Sequence, residues 1–368
     1  MKRSPVYFPA SNLTHGAILA VAMFVLPVLF AAAGDGVTTN QSNGQLLYIP
    51  NAADGTVSAI AAGSGETLWE LTVSEGRNGR PAEAAHGIAL SPDGSTLYAG
   101  DAATDELVII DTAAREVIER VSISHGVHGI DISPGGETVW VGGADPDRFW
   151  LGKMSIVNAD SRTVETVVAP GVGSAAHVSF TPDGAEVWVA SVTTNVVWTI
   201  DSASGELTSV IPLIAGGTRG SGTPEGEAGL IGLNEVAISP DGNAAFAVGP
   251  ESATVFRIDV ASRNVTGERK GEPRAHGITV SPDGSEVWVA NRSGSLSVFD
   301  SDSLEPIATI PMGEYANHVA FDHGGAYVFA TGEDSLVVID ANTRERVRTI
   351  DTGREPHEIA VNAGSPID

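Results

Sequence analysis

One short pattern returns seven times along this chain of 368 residues, and no other feature limits its fold as strongly. The copies read HGIALSPDG, HGIDISPGG, AHVSFTPDG, NEVAISPDG, HGITVSPDG, NHVAFDHGG and HEIAVNAG, and they begin at His86, His128, Ala176, Asn234, His276, Asn317 and His357. Successive copies start 40 to 58 residues apart. This period indicates one repeat architecture rather than the two or three domains that the length alone would allow.

Each repeat unit carries the signals of four strands. The pattern alternates apolar and polar residues and ends in a Pro-Asp-Gly-type turn, which is typical of a strand that enters a hairpin. A second strand has an aromatic residue at one fixed place, namely Tyr98, Trp140, Trp188, Phe246, Trp288 and Phe329. A third strand ends at Asp111, Asn158, Asp201, Asp259, Asp300 and Asp340, and a more polar fourth strand follows. Seven such units predict an all-β, seven-bladed β-propeller of four-stranded antiparallel blades.

The side chains at the fixed places have structural explanations. We expect the aromatic residues to pack between neighbouring blades, and the aspartates that end the third strands to accept hydrogen bonds from local backbone amides. No blade carries the dense carboxylate loop of an EF-hand calcium site.

The two ends of the repeat region complement each other. Segments 46–49, 56–60 and 67–73 match the second, third and fourth strands of a unit, and Tyr48 takes the aromatic place. The chain finishes with a lone first strand at 357–362. One C-terminal strand and three N-terminal strands therefore predict a seventh blade that closes the ring and buries two sheet edges. We assign residues 45–364 to a single propeller, 34–44 to a short linker and 365–368 to a C-terminal tail.

The N-terminal segment has the composition of an export signal. Lys2 and Arg3 precede an apolar run over 17–33 that ends in three alanines. This pattern predicts a cleaved signal peptide at residues 1–33, with an uncleaved anchor as the alternative. The mature protein is then expected in the periplasm, the cell envelope or the extracellular space, with no stable membrane span.

Composition excludes several classes of function. The chain has no cysteine, so a disulfide framework, a cysteine-ligated zinc site, an iron–sulfur cluster and a covalently attached c-type haem are ruled out, whereas a non-covalent haem is compatible. The formal net charge is −26, from 46 acidic and 20 basic residues, which disfavours nucleic acid as a partner.

Histidine is concentrated at the start of the repeat. Six of the nine histidines occupy its first or second position: His86, His128, His177, His276, His318 and His357. The remaining unit offers Asn234 and Glu235, and further candidate rim residues are Asn317, Glu358 and His125. Because the first strand of each blade lines the central channel, these side chains are expected to converge at one mouth.

Two interpretations of the histidines stand side by side. Converging neutral imidazoles suit copper, zinc, iron or nickel, and we place copper first. Alternatively, histidine caps the strand or binds a small ligand. The long segments 75–85, 144–153 and 212–233 are predicted on the same face, where loops over a rigid scaffold build binding sites. A non-catalytic scaffold of the cell envelope that binds a protein or a glycan is therefore the second functional hypothesis.

The repeat units resemble the YVTN-type β-propeller repeat over essentially the whole mature chain. The segment NHVAFDHGGAYVFATG from Asn317, together with the HG-x-x-x-SPDG strands, is also similar to the propeller domain of nitrous-oxide reductases. In that family, histidines at the starts of inner strands hold a copper–sulfide cluster. The resemblance implies metal ligands at His86, His128, His177, His276, His318 and His357. The chain departs from that family at Asn234-Glu235, where the family has a histidine, and it has no cysteine for a dinuclear copper site, so nitrous-oxide reduction is not implied.

Overall fold

The computed structural model describes residues 44–76, 83–145, 148–213, 232–250, 252–313 and 315–362. These ranges form seven four-stranded antiparallel sheets, and the first strands of neighbouring sheets contact one another in ring order. The predicted seven-bladed propeller is thereby confirmed. The expected signal peptide at 1–33, all but the last residue of the 34–44 linker and the 365–368 tail lie outside the described residues.

In six blades the strands run from the channel outward in chain order, and in blade 1 the last strand of the described chain is innermost. Blade 1 consists of β28 (Ala360–Val361), β1 (Leu46–Asn51), β2 (Thr56–Ala61) and β3 (Thr67–Thr72). Blade 2 consists of β4 (Ala84–Leu90), β5 (Thr96–Asp101), β6 (Glu106–Asp111) and β7 (Glu116–Ser122). Blade 3 consists of β8 (Ile130–Ile132), β9 (Thr138–Asp145), β10 (Arg148–Asn158) and β11 (Val164–Val172). Blade 4 consists of β12 (Ala175–Phe180), β13 (Glu186–Ser191), β14 (Val196–Asp201) and β15 (Leu207–Pro212).

The last three blades follow the same order. Blade 5 consists of β16 (Glu235–Ile238), β17 (Ala244–Gly249), β18 (Thr254–Asp259) and β19 (Val265–Lys270). Blade 6 consists of β20 (Ala275–Val280), β21 (Glu286–Asn291), β22 (Ser295–Asp300) and β23 (Pro306–Pro311). Blade 7 consists of β24 (Val319–Phe321), β25 (Tyr327–Thr331), β26 (Ser335–Asp340) and β27 (Arg346–Asp351). A 3-10 turn at Ala52–Asp54 is the single helical element of the described ranges, which contain no helix fit to cross a membrane.

The ring closes as the two ends of the repeat region predict. β28 pairs antiparallel with β1, and Leu47 and Tyr48 lie opposite Val361 and Ala360. The C-terminal strand thus becomes the innermost strand of the blade that the N-terminal strands begin. The edges of both terminal segments are paired, which removes two open templates for aggregation.

The hydrophobic core is divided into seven clusters, one between each pair of neighbouring blades. Each cluster contains the aromatic residue of one second strand; Trp188, for example, packs with Val236 and Phe256 of blade 5. The corresponding residues elsewhere are Trp288, Tyr98, Tyr48, Trp140, Phe246 and Phe329. The prediction that these aromatics pack between blades is confirmed.

The turn after the third strand is built as expected. Asp300 accepts hydrogen bonds from the Ser303 backbone amide and hydroxyl, and Asp340 accepts them from the amides of Asn342 and Thr343. In blades 3, 5 and 7 the turn also carries an arginine that pairs with a glutamate of the preceding blade. The Arg344 guanidinium lies 4.9 Å from the centre of the Trp288 ring and pairs with Glu286. This contact ties one blade to the next on the outer side of the aromatic cluster.

One segment expected to be a loop is mostly strand. Segment 144–153 was predicted to be a long connection over the channel mouth, but β9 continues to Asp145 and β10 begins at Arg148. Lys153 forms a 3.0 Å ion pair with Asp145 across this hairpin. The extension therefore lengthens blade 3 because its residues continue the antiparallel ladder. Most of the 212–233 segment and part of the 75–85 segment lie outside the described residues.

Candidate functional site

The first strand of each blade presents two successive residues at the same mouth of the channel. The first positions are occupied by His86, His128, Ala176, Asn234, His276, Asn317 and His357. The second positions are occupied by Gly87, Gly129, His177, Glu235, Gly277, His318 and Glu358. The six predicted histidines therefore divide into four at first positions and two at second positions.

All six imidazoles belong to one continuous cluster. The rings of His86 and His357 stack with centroids 3.7 Å apart, and the Nδ1 atom of His86 shares a 2.9 Å hydrogen bond with Nε2 of His128. The chain of contacts continues across the channel, with 4.8 Å between the His177 and His318 ring centroids and 4.9 Å between those of His276 and His318. The expected convergence of these side chains is thus present in the structure.

The second positions bring four potential metal ligands together. His177, Glu235, His318 and Glu358 each offer one donor atom, and these atoms lie within 4.8 Å of one another. Glu358 of blade 1 pairs with Nδ1 of His177 in blade 4, and Glu235 of blade 5 lies 3.3 Å from Nδ1 of His318 in blade 7. We call these four residues the second-position group. Its members come from four different blades, so the ring itself sets their geometry.

Three buried imidazole nitrogens of the cluster have no hydrogen-bond partner among the described residues. They are Nε2 of His177, Nε2 of His318 and Nδ1 of His357, on side chains that are only 1%, 2% and 3% exposed. A buried polar atom without a partner costs free energy, so such atoms are rare unless a ligand, an ion or a water completes them. Two of the three belong to the second-position group.

The innermost strands explain why carboxylates occur here. The innermost strand of a blade is a sheet edge, so its backbone amides that point away from the sheet need acceptors from another blade. Oε2 of Glu358 accepts a 3.0 Å hydrogen bond from the Ile88 amide of blade 2, and Oε2 of Glu235 accepts a 2.8 Å bond from the Ile278 amide of blade 6. Each glutamate therefore has one oxygen held by the neighbouring blade, which orients its carboxylate in the channel.

The three second-position glycines allow the blades to approach closely. A Cβ atom on Gly87 would lie 2.7 Å from Cα of Gly129, and one on Gly277 would lie 2.7 Å from the Asn317 carbonyl oxygen. The backbone amide of Gly277 donates a 2.9 Å hydrogen bond to that same oxygen. The absence of a Cβ therefore lets neighbouring innermost strands lie in direct backbone contact at these places.

The first-position histidines are held in the neutral form. The pKa of His128 falls to about 3, and those of His86, His276 and His357 fall well below the usual value. Removal of water is the main cause, and the positive charges of neighbouring imidazoles and of Arg292 add to it. Neutral imidazole is the form that binds metal ions.

Charge in the second-position group is balanced by a contact across the channel. Burial alone lowers the pKa of His177, but the paired Glu358 carboxylate outweighs it and raises that pKa. Burial likewise favours the neutral form of Glu358, and the His177 charge outweighs it, so the pKa of Glu358 is lowered. When no metal ion is bound, His177 is an imidazolium paired with the Glu358 carboxylate. The positive charge of His177 then takes the place of the charge that a bound metal ion would supply.

The other candidate rim residues have different roles. The Asn234 amide donates to Nδ1 of His276 at 3.0 Å, which fixes the His276 tautomer. Asn317 donates to the carbonyls of Gly332 and Pro356 and accepts a 2.8 Å hydrogen bond from Nε of Arg292. The structure places His125 against blade 3, where Nδ1 donates to the Gly126 carbonyl and Nε2 accepts from the Ser155 hydroxyl. Both nitrogens of His125 are thus used within the fold.

Sequence reasoning did not single out Asp131, a third channel carboxylate. Its oxygens accept hydrogen bonds from the amides of Ile132 at 2.8 Å and Phe180 at 3.2 Å, so it joins blade 3 to blade 4 as the glutamates join their neighbours. Burial raises the pKa of Asp131 to about 7, the amide contacts oppose this rise, and the Glu358 charge adds to it. The signal that could have identified it is an aspartate between two isoleucines in the first strand of blade 3.

Asp131 predicts a specific dependence of stability on pH. Its folded-state pKa lies above the unfolded value, so the folded chain binds more protons and stability from this group is lost as pH rises through 7. Between pH 5 and pH 8 we expect Asp131→Asn to remove about 2 kcal/mol of this change. Urea unfolding of both proteins at the two pH values measures the difference, in which contributions from the histidines cancel. Asp183→Asn, at an exposed turn, should leave the slope unaltered; parallel pH profiles for wild type and Asp131→Asn would contradict the assignment.

Because two comparisons with known proteins found no match, the functional proposal rests on the geometry of the site. No protein-family model matches the sequence. No curated protein matches it at a significant level.

Proposed function

We propose that the protein binds a divalent transition-metal ion at one mouth of its channel, with His177, Glu235, His318 and Glu358 as ligands. The observation that carries the proposal is the convergence of these four donor atoms within 4.8 Å. Nε2 of His177 and Nε2 of His318 are buried and have no partner among the described residues, so each imidazole keeps one nitrogen that no described protein group occupies.

The donor chemistry supports a first-row transition metal. Two imidazoles and two carboxylates form a nitrogen and oxygen set that suits copper, zinc, iron and manganese, and the chain has no cysteine to offer a thiolate. Copper remains our first proposal, since divalent copper has the highest affinity for such ligands in the first-row series. First-position histidines lie beside the group: the ring centroids of His128 and His177 are 5.3 Å apart, and those of His276 and His318 are 4.9 Å apart.

The resemblance to nitrous-oxide reductase propellers supports an imidazole-rich copper site at this mouth. The donor set differs from that family's all-histidine cluster in two respects. Blade 5 offers Glu235, and blade 1 offers Glu358 beside His357. Two fixed carboxylates favour a single hard or borderline cation over a sulfide-bridged cluster. We therefore propose an exported YVTN-type propeller that handles or stores a metal ion, or uses it for redox chemistry, in the periplasm or cell envelope.

Metal analysis of the purified protein tests this proposal. We expect about one equivalent of a transition metal after loading with Cu²⁺, Zn²⁺, Fe²⁺ or Mn²⁺ and removal of excess by gel filtration. His323→Asn, at an exposed site away from the cluster, is the matched control and should keep the full equivalent. Less than a tenth of an equivalent with every metal would overturn the proposal and favour the scaffold that binds a protein or a glycan.

A further inference from the structure

The proposed ligand Glu358 lies on a segment that enters the channel just before a very short strand. Residues 352–358 follow β27, and β28 after them has only two residues. Beside this strand, the His357 amide donates a 3.0 Å hydrogen bond to the Pro50 carbonyl of β1. A strand with few ladder hydrogen bonds opens at a lower cost in free energy than a long one. The position of Glu358 therefore depends on contacts that lie outside the ladder.

An ion pair fastens this segment to blade 1. Nε of Arg354 donates a 2.6 Å hydrogen bond to Oδ1 of Asp54, and the Arg354 backbone amide donates a 2.7 Å bond to Oδ2 of the same carboxylate. Nη2 of Arg354 donates a 3.0 Å bond to the Ala53 carbonyl. Asp54 and Ala53 belong to the 3-10 turn between β1 and β2, so these contacts bridge two segments about 300 residues apart in the sequence. We call Asp54 and Arg354 the clasp.

The backbone next to the clasp is held from two sides. The Ala52 amide donates a 3.0 Å hydrogen bond to the Glu355 carbonyl, and the Glu355 amide donates a 3.0 Å bond to the Glu333 carbonyl in the turn between β25 and β26. Glu355 has a φ of +53°, a left-handed conformation that is unfavourable for a residue with a side chain. Such a conformation persists where the surrounding structure imposes it. The contacts around Glu355 therefore fix the direction in which the chain continues to Glu358.

Both oxygens of the Glu358 carboxylate depend on that direction. Oε1 pairs with Nδ1 of His177, and Oε2 accepts the 3.0 Å hydrogen bond from the Ile88 amide. Glu235 holds the Ile278 amide in the same way at 2.8 Å, but it belongs to blade 5, which the clasp does not join. We propose that Asp54 and Arg354 are positioning residues for the metal site, which hold residues 352–358 so that Glu358 keeps its place in the second-position group. This inference rests on the proposed function of that group.

Hydrogen exchange in the metal-free full chain, measured by NMR, tests the positioning without any metal. Asp54→Ala and Arg354→Ala should each speed exchange of the Ile88 amide about threefold or more, as expected for loss of a charged contact at the surface. The Ile278 amide, bonded to the other proposed carboxylate ligand, should exchange at the wild-type rate. An unaltered rate at Ile88 would overturn the proposal, and so would equal acceleration at both amides, which would indicate a general loss of stability.

Metal titration measures the consequence for the site at a temperature where every variant is folded by circular dichroism. Asp54→Ala and Arg354→Ala should each raise the dissociation constant for Cu²⁺ about threefold or more, and Arg354→Lys should lose less because it keeps a positive charge beside Asp54. Arg269→Ala is the matched control, since it removes an exposed ion pair with Glu305 between blades 5 and 6. It should leave the affinity and both amides unchanged; an equal loss of affinity there would contradict the assignment.

The two measurements separate this inference from the proposed function. If the wild-type protein binds no metal, the proposed function fails, and exchange at Ile88 still decides whether the clasp positions Glu358. If the wild-type protein binds metal and both clasp variants bind it equally well, the positioning role is wrong and the metal site stands.

Discussion

Replacement of both Glu235 and Glu358 by glutamine is expected to weaken metal binding about a thousandfold while the propeller stays folded. Each substitution removes one anionic ligand from the second-position group, and an amide oxygen is a much poorer donor to a transition metal than a carboxylate. The fold should survive because the glutamine carbonyl can still accept the hydrogen bonds from the Ile88 and Ile278 amides.

Two measurements check this result. Direct titration gives the affinity, and thermal or urea unfolding gives the stabilisation by bound metal. At a free-metal concentration a thousand times the wild-type dissociation constant, the wild-type protein should gain about 4 kcal/mol in unfolding free energy, and the double variant about 0.4 kcal/mol. The matched control is Glu333→Gln with Glu355→Gln, which changes the net charge equally at two exposed glutamates. If the control lost as much affinity, or the test variant stayed within threefold of wild type, the ligands would not be those proposed.

Alanine in place of Gly277 is expected to destabilise the protein by about 3 kcal/mol, at the upper end of the cost of overpacking. The new Cβ would lie 2.7 Å from both the Asn317 carbonyl oxygen and Cα of His318. Neither atom belongs to a flexible side chain, so blades 6 and 7 must separate. The same movement displaces His318, and metal affinity should fall together with stability.

Gly126→Ala is the control for this substitution. Its Cβ would have the Ala144 carbonyl oxygen, at 3.8 Å, as its nearest neighbour among the described atoms, and its backbone needs no left-handed conformation. We expect a change of less than about 0.5 kcal/mol there. Equal urea midpoints for Gly277→Ala and wild type would show that the blades can shift without cost, and that the close approach at Gly277 does not fix the site.

The architecture was readable from the sequence because each unit repeats the same local signals. Alternating apolar residues, a turn with glycine and an aromatic at a fixed place occur in every blade, so an error in one unit is corrected by the others. The closure by β28 was predictable because the N-terminal segment supplies three strands of a unit and the C-terminal segment supplies the missing first strand. The extended hairpin of blade 3 was missed because its residues depart from the repeat, although the sequence Asp-Pro-Asp at 145–147 is a turn signal at the end of β9.

The site was predicted less completely than the fold. Its histidines were found by their place in the repeat, but the division between first and second positions was not used. Glu235 and Glu358 were named only as further rim residues, and the second position that they share with His177 and His318 is what brings the four together. Which donors lie within reach across the channel depends on ring diameter and blade tilt, which spacing along one strand does not encode.

The closure of blade 1 has a consequence for the order of assembly. His357 and Glu358 precede β28, which is the last strand of the described chain, and Glu358 is the partner of His177 in blade 4. A polypeptide that is still being synthesised therefore lacks one of the four proposed ligands until the segment with His357 and Glu358 docks against β1. Tight metal binding should follow ring closure, because a chain interrupted before this segment has only three of the proposed ligands.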